Sequence, residues 1–441
     1  MSRRAFLRRG AAATGGISVA GPLLALAACT PGRAPAPLPT GDGKRPPRLV
    51  DMGDLRLPRG FHYTVLQREG DVLGDGTEVP SRFDGMAAFP GPDATTVLLR
   101  NHENRGDSDE RPVVVPDGVR YDADDSMNGG VTKLVVTPDR RVSDSYALLG
   151  GTLWNCAGGM MPWGSWISCE EKFEDGDEPH GYIFEVNASA TEPVAATPIR
   201  AGGRFEHEAL AWLDGVLYLT EDQHDGALYR LLPDQEPSAA GDLAATTGRL
   251  EALRIRGEEH SAAKTSEGWP TGEGFGVEWV ALDGTEPSSD TLREEARDKG
   301  AAVFDRCEGI WVGYGKVYFN CTEAGDEGDG QVWELDPGAG TLELIYESPG
   351  PEELQNPDNI VVGPTAELFL CEDNDDAVHI RRLTREGRIQ TFAQALEYPT
   401  SEFAGVCFDP SWQTLYVNQQ GDPPNDLPAV TYAIWGPWDA L

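Results

Sequence analysis

Apolar residues along the chain fall in short runs that alternate with polar positions and break at Asp, Gly and Pro, a rhythm that predicts β-strands almost throughout. Val131–Val136, Gly181–Val186, Ala227–Leu232, Gln331–Leu335 and Thr341–Tyr346 are such runs, and Leu213-Asp-Gly-Val216 has the two-residue turn of a tight hairpin. One stretch departs from the rhythm. Asp290–Gly300 (DTLREEARDKG) reads as a short helical insertion running into Phe304-Asp-Arg-Cys-Glu308, and is expected as a lid or as a solvated surface element.

The strand pattern repeats. Glu208-Ala-Leu…Leu217-Tyr-Leu-Thr-Glu-Asp222, Glu308-Gly-Ile…Val317-Tyr-Phe-Asn-Cys-Thr322 and Asp358-Asn-Ile…Leu368-Phe-Leu-Cys-Glu-Asp373 each open on an acid, turn tightly and end on polar residues. Aligned on the second strand, Cys169, Thr220, Asn320, Cys371 and Asn418 coincide at separations of 51, 100, 51 and 47, with a further match near residue 100 and Val277–Leu282 near the gap. A period of this size, with several short strands per unit, predicts an all-β, six-bladed β-propeller over residues 49–441. The chain ends share one blade, and seven blades is the alternative. Acids at equivalent strand ends would then converge on the central channel, a way to build a metal cluster.

The N-terminus changes where such a protein is expected. Ser2-Arg-Arg-Ala-Phe-Leu7, an Ala/Gly-rich apolar run and Leu26-Ala-Ala-Cys29 describe a twin-arginine signal over residues 1–28, too short and glycine-rich to span a bilayer stably. The last four residues also look like a lipobox, so Cys29 is the expected lipid anchor and residues 29–48 a flexible tether. The expected location is the cell surface or periplasm, with secretion as the other outcome, and the expected state is a monomer. Net charge is −37, and only six of the 36 basic residues are lysine, which argues against nucleic acid as a partner. It also predicts that anionic substrates are repelled unless bound cations offset the field. Six cysteines follow Cys29, none in a CxxC pair; Cys169 with Cys371, or Cys307 with Cys321, are the disulfides to consider.

The densest chemistry lies in Asn155-Cys-Ala-Gly-Gly159 and Pro162-Trp-Gly-Ser-Trp-Ile-Ser-Cys-Glu-Glu171. Gly158, Gly159 and Gly164 would allow close approach to a ligand, with Trp163 and Trp166 as a wall. Cys169 offers a soft donor and Glu170 and Glu171 hard ones. Strand alternation puts Cys169 and Glu171 on one face and leaves Glu170 needing a bend or a second metal. A thiolate among carboxylates suits a transition metal such as iron, and carboxylates alone suit calcium. His102 and His207 are expected to orient Asn101, Glu206 or Glu208 rather than bind metal. Asp326, Glu327 and Asp329 are a solvated hairpin tip or a peripheral calcium site.

These motifs resemble the signature of the PhoX-type bacterial alkaline phosphatases. Asn101-His-Glu103, Phe205-Glu-His-Glu208, Arg306-Cys-Glu-Gly309, Pro357-Asp-Asn359 and Gly405-Val-Cys-Phe408 look like further motifs of that family in the same order, so the resemblance covers roughly residues 50–435. It implies a propeller phosphatase acting on a small-molecule phosphate ester, with two ferric ions and several calcium ions in the channel. By the same resemblance Cys169 matches the thiolate ligand to iron, Glu208 and Glu308 match carboxylates that bridge or hold iron and calcium, and Arg306 matches an arginine that would bind the phosphoryl group. Glu170, Glu171, Asp358 and Asp373 fall in matching motifs as metal candidates, and Asn155 stands beside Arg306 as a candidate catalytic residue. Met161 and Cys307 depart from the family pattern, the first placing an apolar side chain near the expected phosphate pocket. The competing expectations are a calcium-dependent lactonase or esterase propeller, which has no use for Cys169, and a non-catalytic metal-binding propeller.

Overall fold

A computed structural model describes residues 46–374 and 376–441. The expected twin-arginine signal, Cys29 and most of the expected tether lie outside that range. The described chain is all-β and propeller-like, built from five hydrogen-bonded sheets of six, three, nine, four and four strands.

Six strands stand innermost: Phe83–Pro90, Asn155–Met161, His207–Leu213, Cys307–Gly313, Pro357–Val362 and Phe403–Phe408. Each packs against the next, and the last returns to the first, so they enclose an axis. Closure comes from the chain ends sharing a sheet, because His62–Arg68 pairs antiparallel with the C-terminal strand Val430–Trp435. The nine-stranded sheet explains the doubled repeat. Gly274–Ala281 pairs with Gly248–Ile255 on one side and Thr341–Glu347 on the other, so the segment near the gap is a bridge between two units.

The polar residues of the repeat are staples between neighbouring units. Asn101 Nδ2 donates to the Cys156 and Ala157 carbonyls at 2.9 and 2.7 Å, and Thr220 Oγ1 donates to the Glu308 carbonyl at 2.7 Å. Asn320 Nδ2 donates to the Asp358 carbonyl at 2.7 Å, and Asn418 Nδ2 to the Asp84 carbonyl at 2.6 Å. Every acceptor is on the inner strand of the next unit, where the strand is bulged and its carbonyls lack ladder partners.

Cys169 and Cys371 occupy the same repeat position but sit in separate apolar clusters, one with Ile183 and Phe205, the other with Phe369 and Phe403. They therefore do not pair, and all six described cysteines are free thiols. Cys307 and Cys321 do face each other across a hairpin, Sγ to Sγ 3.1 Å.

The helix is Leu292–Asp298. It buries Leu292 and Ala296, while Arg293 and Arg297 reach Asp225 at 2.8 and 2.7 Å. That fixes it to the sheet and distinguishes it from a freely solvated insertion.

Asn320→Ala should cost about 1–3 kcal/mol, the penalty of stranding buried carbonyls. Urea unfolding at neutral pH checks this, and an unchanged midpoint would show that the staples do not hold the ring.

Candidate metal centre

All six inner strands carry a register shift at the same height, between Phe83/Met86, Asn155/Gly158, His207/Leu210, Cys307/Ile310, Pro357/Ile360 and Ala404/Cys407. A bulge inserts an unpaired residue and re-aims its side chain. The residues that follow the first position of each bulge are Asp84, Cys156, Glu208, Glu308, Asp358 and Gly405. Five offer a metal donor. The sixth must be glycine, since its φ is +62° and a Cβ would lie 2.3 Å from the Asp84 carbonyl oxygen.

A second set of side chains comes from the neighbouring strands. Tandem acids close three of these strands, the first as the last strand residue and the second opening the loop, and alternation splits each pair. The first acid anchors its own unit. Glu170 accepts from His180 at 2.6 Å and from the Leu153 and Gly181 amides at 3.1 and 2.9 Å. Glu221 accepts from the Tyr229 hydroxyl at 2.7 Å, and Glu372 from Arg381 at 2.6 Å. The second acid, Glu171, Asp222 or Asp373, is left to face the cluster, and Glu103 arrives similarly after His102.

Three donor groups result, each with its ligand atoms within 4.8 Å of one another: Cys156, Glu171 and Glu208; Glu208, Glu308 and Asp358; Asp84, Glu103 and Glu402. Burial pushes the Glu208 carboxyl well up, reinforced by Glu308 and Glu171. Burial and Asp222 do the same to Glu171. Glu308 also rises through burial and Asp222, with Arg306 opposing. Asp84 is pushed up to about 7 by burial and by Glu103. The Cys156 thiol is raised by burial and then by Glu208. Such a set cannot remain ionised together without cations. Its donors fit metal well: carboxylates suit a hard cation, and one thiol among carboxylates suits a transition metal.

Of the residues singled out from the sequence, Glu171, Glu208, Glu308 and Asp358 come together here. Asp373 lies beside them and raises Glu308 and Asp358. Cys169 is not in these groups: the thiol whose sulfur lies within 4.8 Å of Glu171 and Glu208 is that of Cys156, although both cysteines border the same apolar cluster. Glu170 is absorbed by the hydrogen bonds above. Asn155 is fully buried between the Thr152 and Ser168 hydroxyls, at 2.7 and 2.9 Å, away from the donor groups.

Other expectations change for steric reasons. A Cβ on Gly158 would meet the Ile167 carbonyl oxygen at 2.0 Å, and on Gly159 the Leu210 carbonyl oxygen at 2.0 Å, so these glycines admit neighbouring backbone rather than ligand. Met161 and Trp163 line an apolar cavity of about 980 Å³ at the opposite end of the inner strands, and Trp166 is buried against Asn101. His102 bonds the Ser81 carbonyl and Thr132, and His207 bonds the Gly203 carbonyl, so neither orients an acid of the cluster. Asp84, Cys156, Glu103 and Glu402 were missed. Asp84 and Cys156 had a signal, because Phe83-Asp-Gly and Asn155-Cys-Ala stand in the register of His207-Glu-Ala.

Arg306 closes one side. Its guanidinium donates to both Asp222 carboxylate oxygens at 2.9 and 2.8 Å, to Glu308 at 2.8 Å and to Glu323 at 2.9 Å. Its φ of +50° is rare for a long side chain and turns it toward the cluster.

The raised acids predict a pH dependence. A carboxyl whose folded pKa lies above its unfolded value stabilises the protonated folded state below about pH 4, and that contribution is lost as pH rises. For Asp84 the loss runs through about 7. Chelator-treated protein should therefore lose Tm steadily across this range, and excess calcium should abolish the loss. Calorimetry with and without chelator tests it; superimposable profiles would exclude a cation-balanced cluster.

The sequence model for the family described as alkaline phosphatase PhoX matches residues 45–147 and 139–422. Pseudomonas fluorescens PhoX in complex with vanadate, a transition state analogue, shares the fold with a TM-score of 0.67 at 17% identity, over 89% of this chain and 97% of that one. A gluconolactonase from Xanthomonas campestris gives 0.44 at 14% identity over 92% and 100%. The WD40 β-propeller domain of Doa1 gives 0.41 at 10% identity over 84% and 96%. No curated protein matches the chain. With the family pattern running through nearly all of the propeller-like domain, the chain belongs to the PhoX alkaline phosphatase family and is a phosphoric ester hydrolase.

Proposed function

We propose that the chain hydrolyses small-molecule phosphate esters at the axial cluster, with iron held where Cys156 meets Glu171 and Glu208 and calcium held by the carboxylate groups. The carrying observation is the single thiol among convergent buried carboxylates in a phosphatase of this family. When bound, the cations supply charge neutralisation and Lewis acidity at the phosphoryl group. The chain's own residues do the rest. The bulges fix the donors in space, and Gln420 Nε2 ties Asp84 to Glu103 at 2.8 and 2.6 Å. Arg306 is permanently charged and planar, suited to two non-bridging phosphoryl oxygens, and Asp222 and Glu323 aim it. Phosphoryl transfer depends on such placement and charge more than on protein acids and bases.

The six-bladed reading rests on the six bulged inner strands, with the nine-stranded sheet counted as two blades bridged by Gly274–Ala281. Export and a lipid anchor at Cys29 rest on the leader sequence alone.

Two experiments test the reading. Arg306→Ala should lower kcat/KM for a phosphate monoester by about 10²-fold or more, as loss of a preorganised charge donor does. Elemental analysis of protein purified without chelators should find iron and calcium; Cys156→Ser should lose the iron and keep the calcium, while Cys169→Ser keeps both. Absence of any transition metal from the wild type would sink the iron assignment.

A further inference from the structure

The rim of the cluster carries a second cationic feature, in a different sector from Arg306. Trp154 lies between the inner-strand start at Asn155 and the loop before it, with a φ of +48°, a conformation bulky residues rarely adopt. Two segments pin it there: its amide donates to the Asn104 carbonyl at 3.0 Å, and its carbonyl accepts from the Glu171 amide at 2.9 Å. The residues next to those two partners are Arg105 and Lys172, and both lay their charge over the Trp154 ring, at 4.6 and 5.3 Å from its centroid. Arg105 also contacts Glu103 at 2.8 Å, and Lys172 approaches Glu206 at 3.9 Å. Both side chains are a little over one-third exposed, 37% and 38%.

Two like charges on one aromatic ring repel each other, and the arrangement uses one of only six lysines in a chain of net charge −37. Arg105 also balances part of the cluster, since Glu103, Glu402 and Glu171 all act on its guanidinium, while Lys172 faces the ring and Glu206. Arg306 is paired with three carboxylates, Arg105 with Glu103 and Lys172 more loosely with Glu206, and the last two side chains are the more exposed to solvent. Because their ring is covered, what they present is positive charge rather than a stacking surface.

Resting on the phosphatase reading, we propose that Arg105 and Lys172, held on Trp154, form a subsite for an anionic group on the leaving-group part of the substrate, so that the enzyme favours esters bearing a second phosphate. The transferred phosphoryl group sits at the axial donors beside Arg306. The second phosphate lies over the neighbouring sector, between the two cations whose mutual repulsion it relieves.

The test compares a hexose bisphosphate with the matching hexose monophosphate, using the metal-replete protein. Wild type should prefer the bisphosphate by about tenfold in kcat/KM, the range of one or two charge-assisted hydrogen bonds. Arg105→Ala and Lys172→Ala should each reduce that preference about fivefold, through KM rather than kcat, and Arg105→Lys should restore part of it. A wild-type ratio near one, or variants that lower turnover of both substrates by the same factor, overturns the subsite. Turnover of neither substrate by folded, metal-replete wild type would instead overturn the phosphatase reading, so the two failures are distinct.

Discussion

Mutual repulsion among buried carboxylates at one end of the channel is the constraint to which the rest of this structure answers. Glu208 belongs to two donor groups at once, and Asp84, Glu103 and Glu402 form a third beside them. In a low-dielectric setting these acids can coexist only if protons or cations sit between them. The fold must therefore supply a frame stiff enough to hold them in place. Inter-unit staples such as Asn320 and Asn418 do this at the height of the donors, bonding the carbonyls that the bulges leave unpaired.

The bulge is what converts a sheet protein into a site. Without it, residues such as Glu208 and Glu308 would follow the strict two-residue alternation of their strands and point into a neighbouring unit. With it, each inner strand gains one side chain aimed at the axis, at one common height. The remaining length of the same strands packs closely, and their far ends open into an apolar cavity rimmed by Trp163, Trp212 and Trp311. One ring of strands thus produces a charged end and an apolar end. Met161 belongs to the apolar end, at the opposite end of the inner strands from the carboxylate groups.

Long-range charge and local charge have opposite signs here. The surface as a whole repels anions, while Arg105, Lys172 and Arg306 gather at the mouth of the cluster. Favourable potential for an anion is therefore confined to the neighbourhood of these side chains.

The period of about 50 residues made the all-β propeller-like architecture legible, because each unit must bury the same face and returns to the same turn. It also located Glu208, Glu308 and Asp358, which share a register, and the shared end of the ring, where His62–Arg68 completes the C-terminal sheet. Glu171 was legible as the second of two acids at a strand end. What stayed hidden depended on three dimensions. Whether Cys156 or Cys169 meets the acids turns on a bulge between Asn155 and Gly158, which one-dimensional alternation cannot show. Glu402 enters from outside the repeat register, and Asn155 is consumed by hydroxyls that only the folded sheet brings near. Sequence periodicity determined which residues recur; the tertiary structure decided which of them face the axis, because a single extra residue per strand reverses the side that a side chain takes.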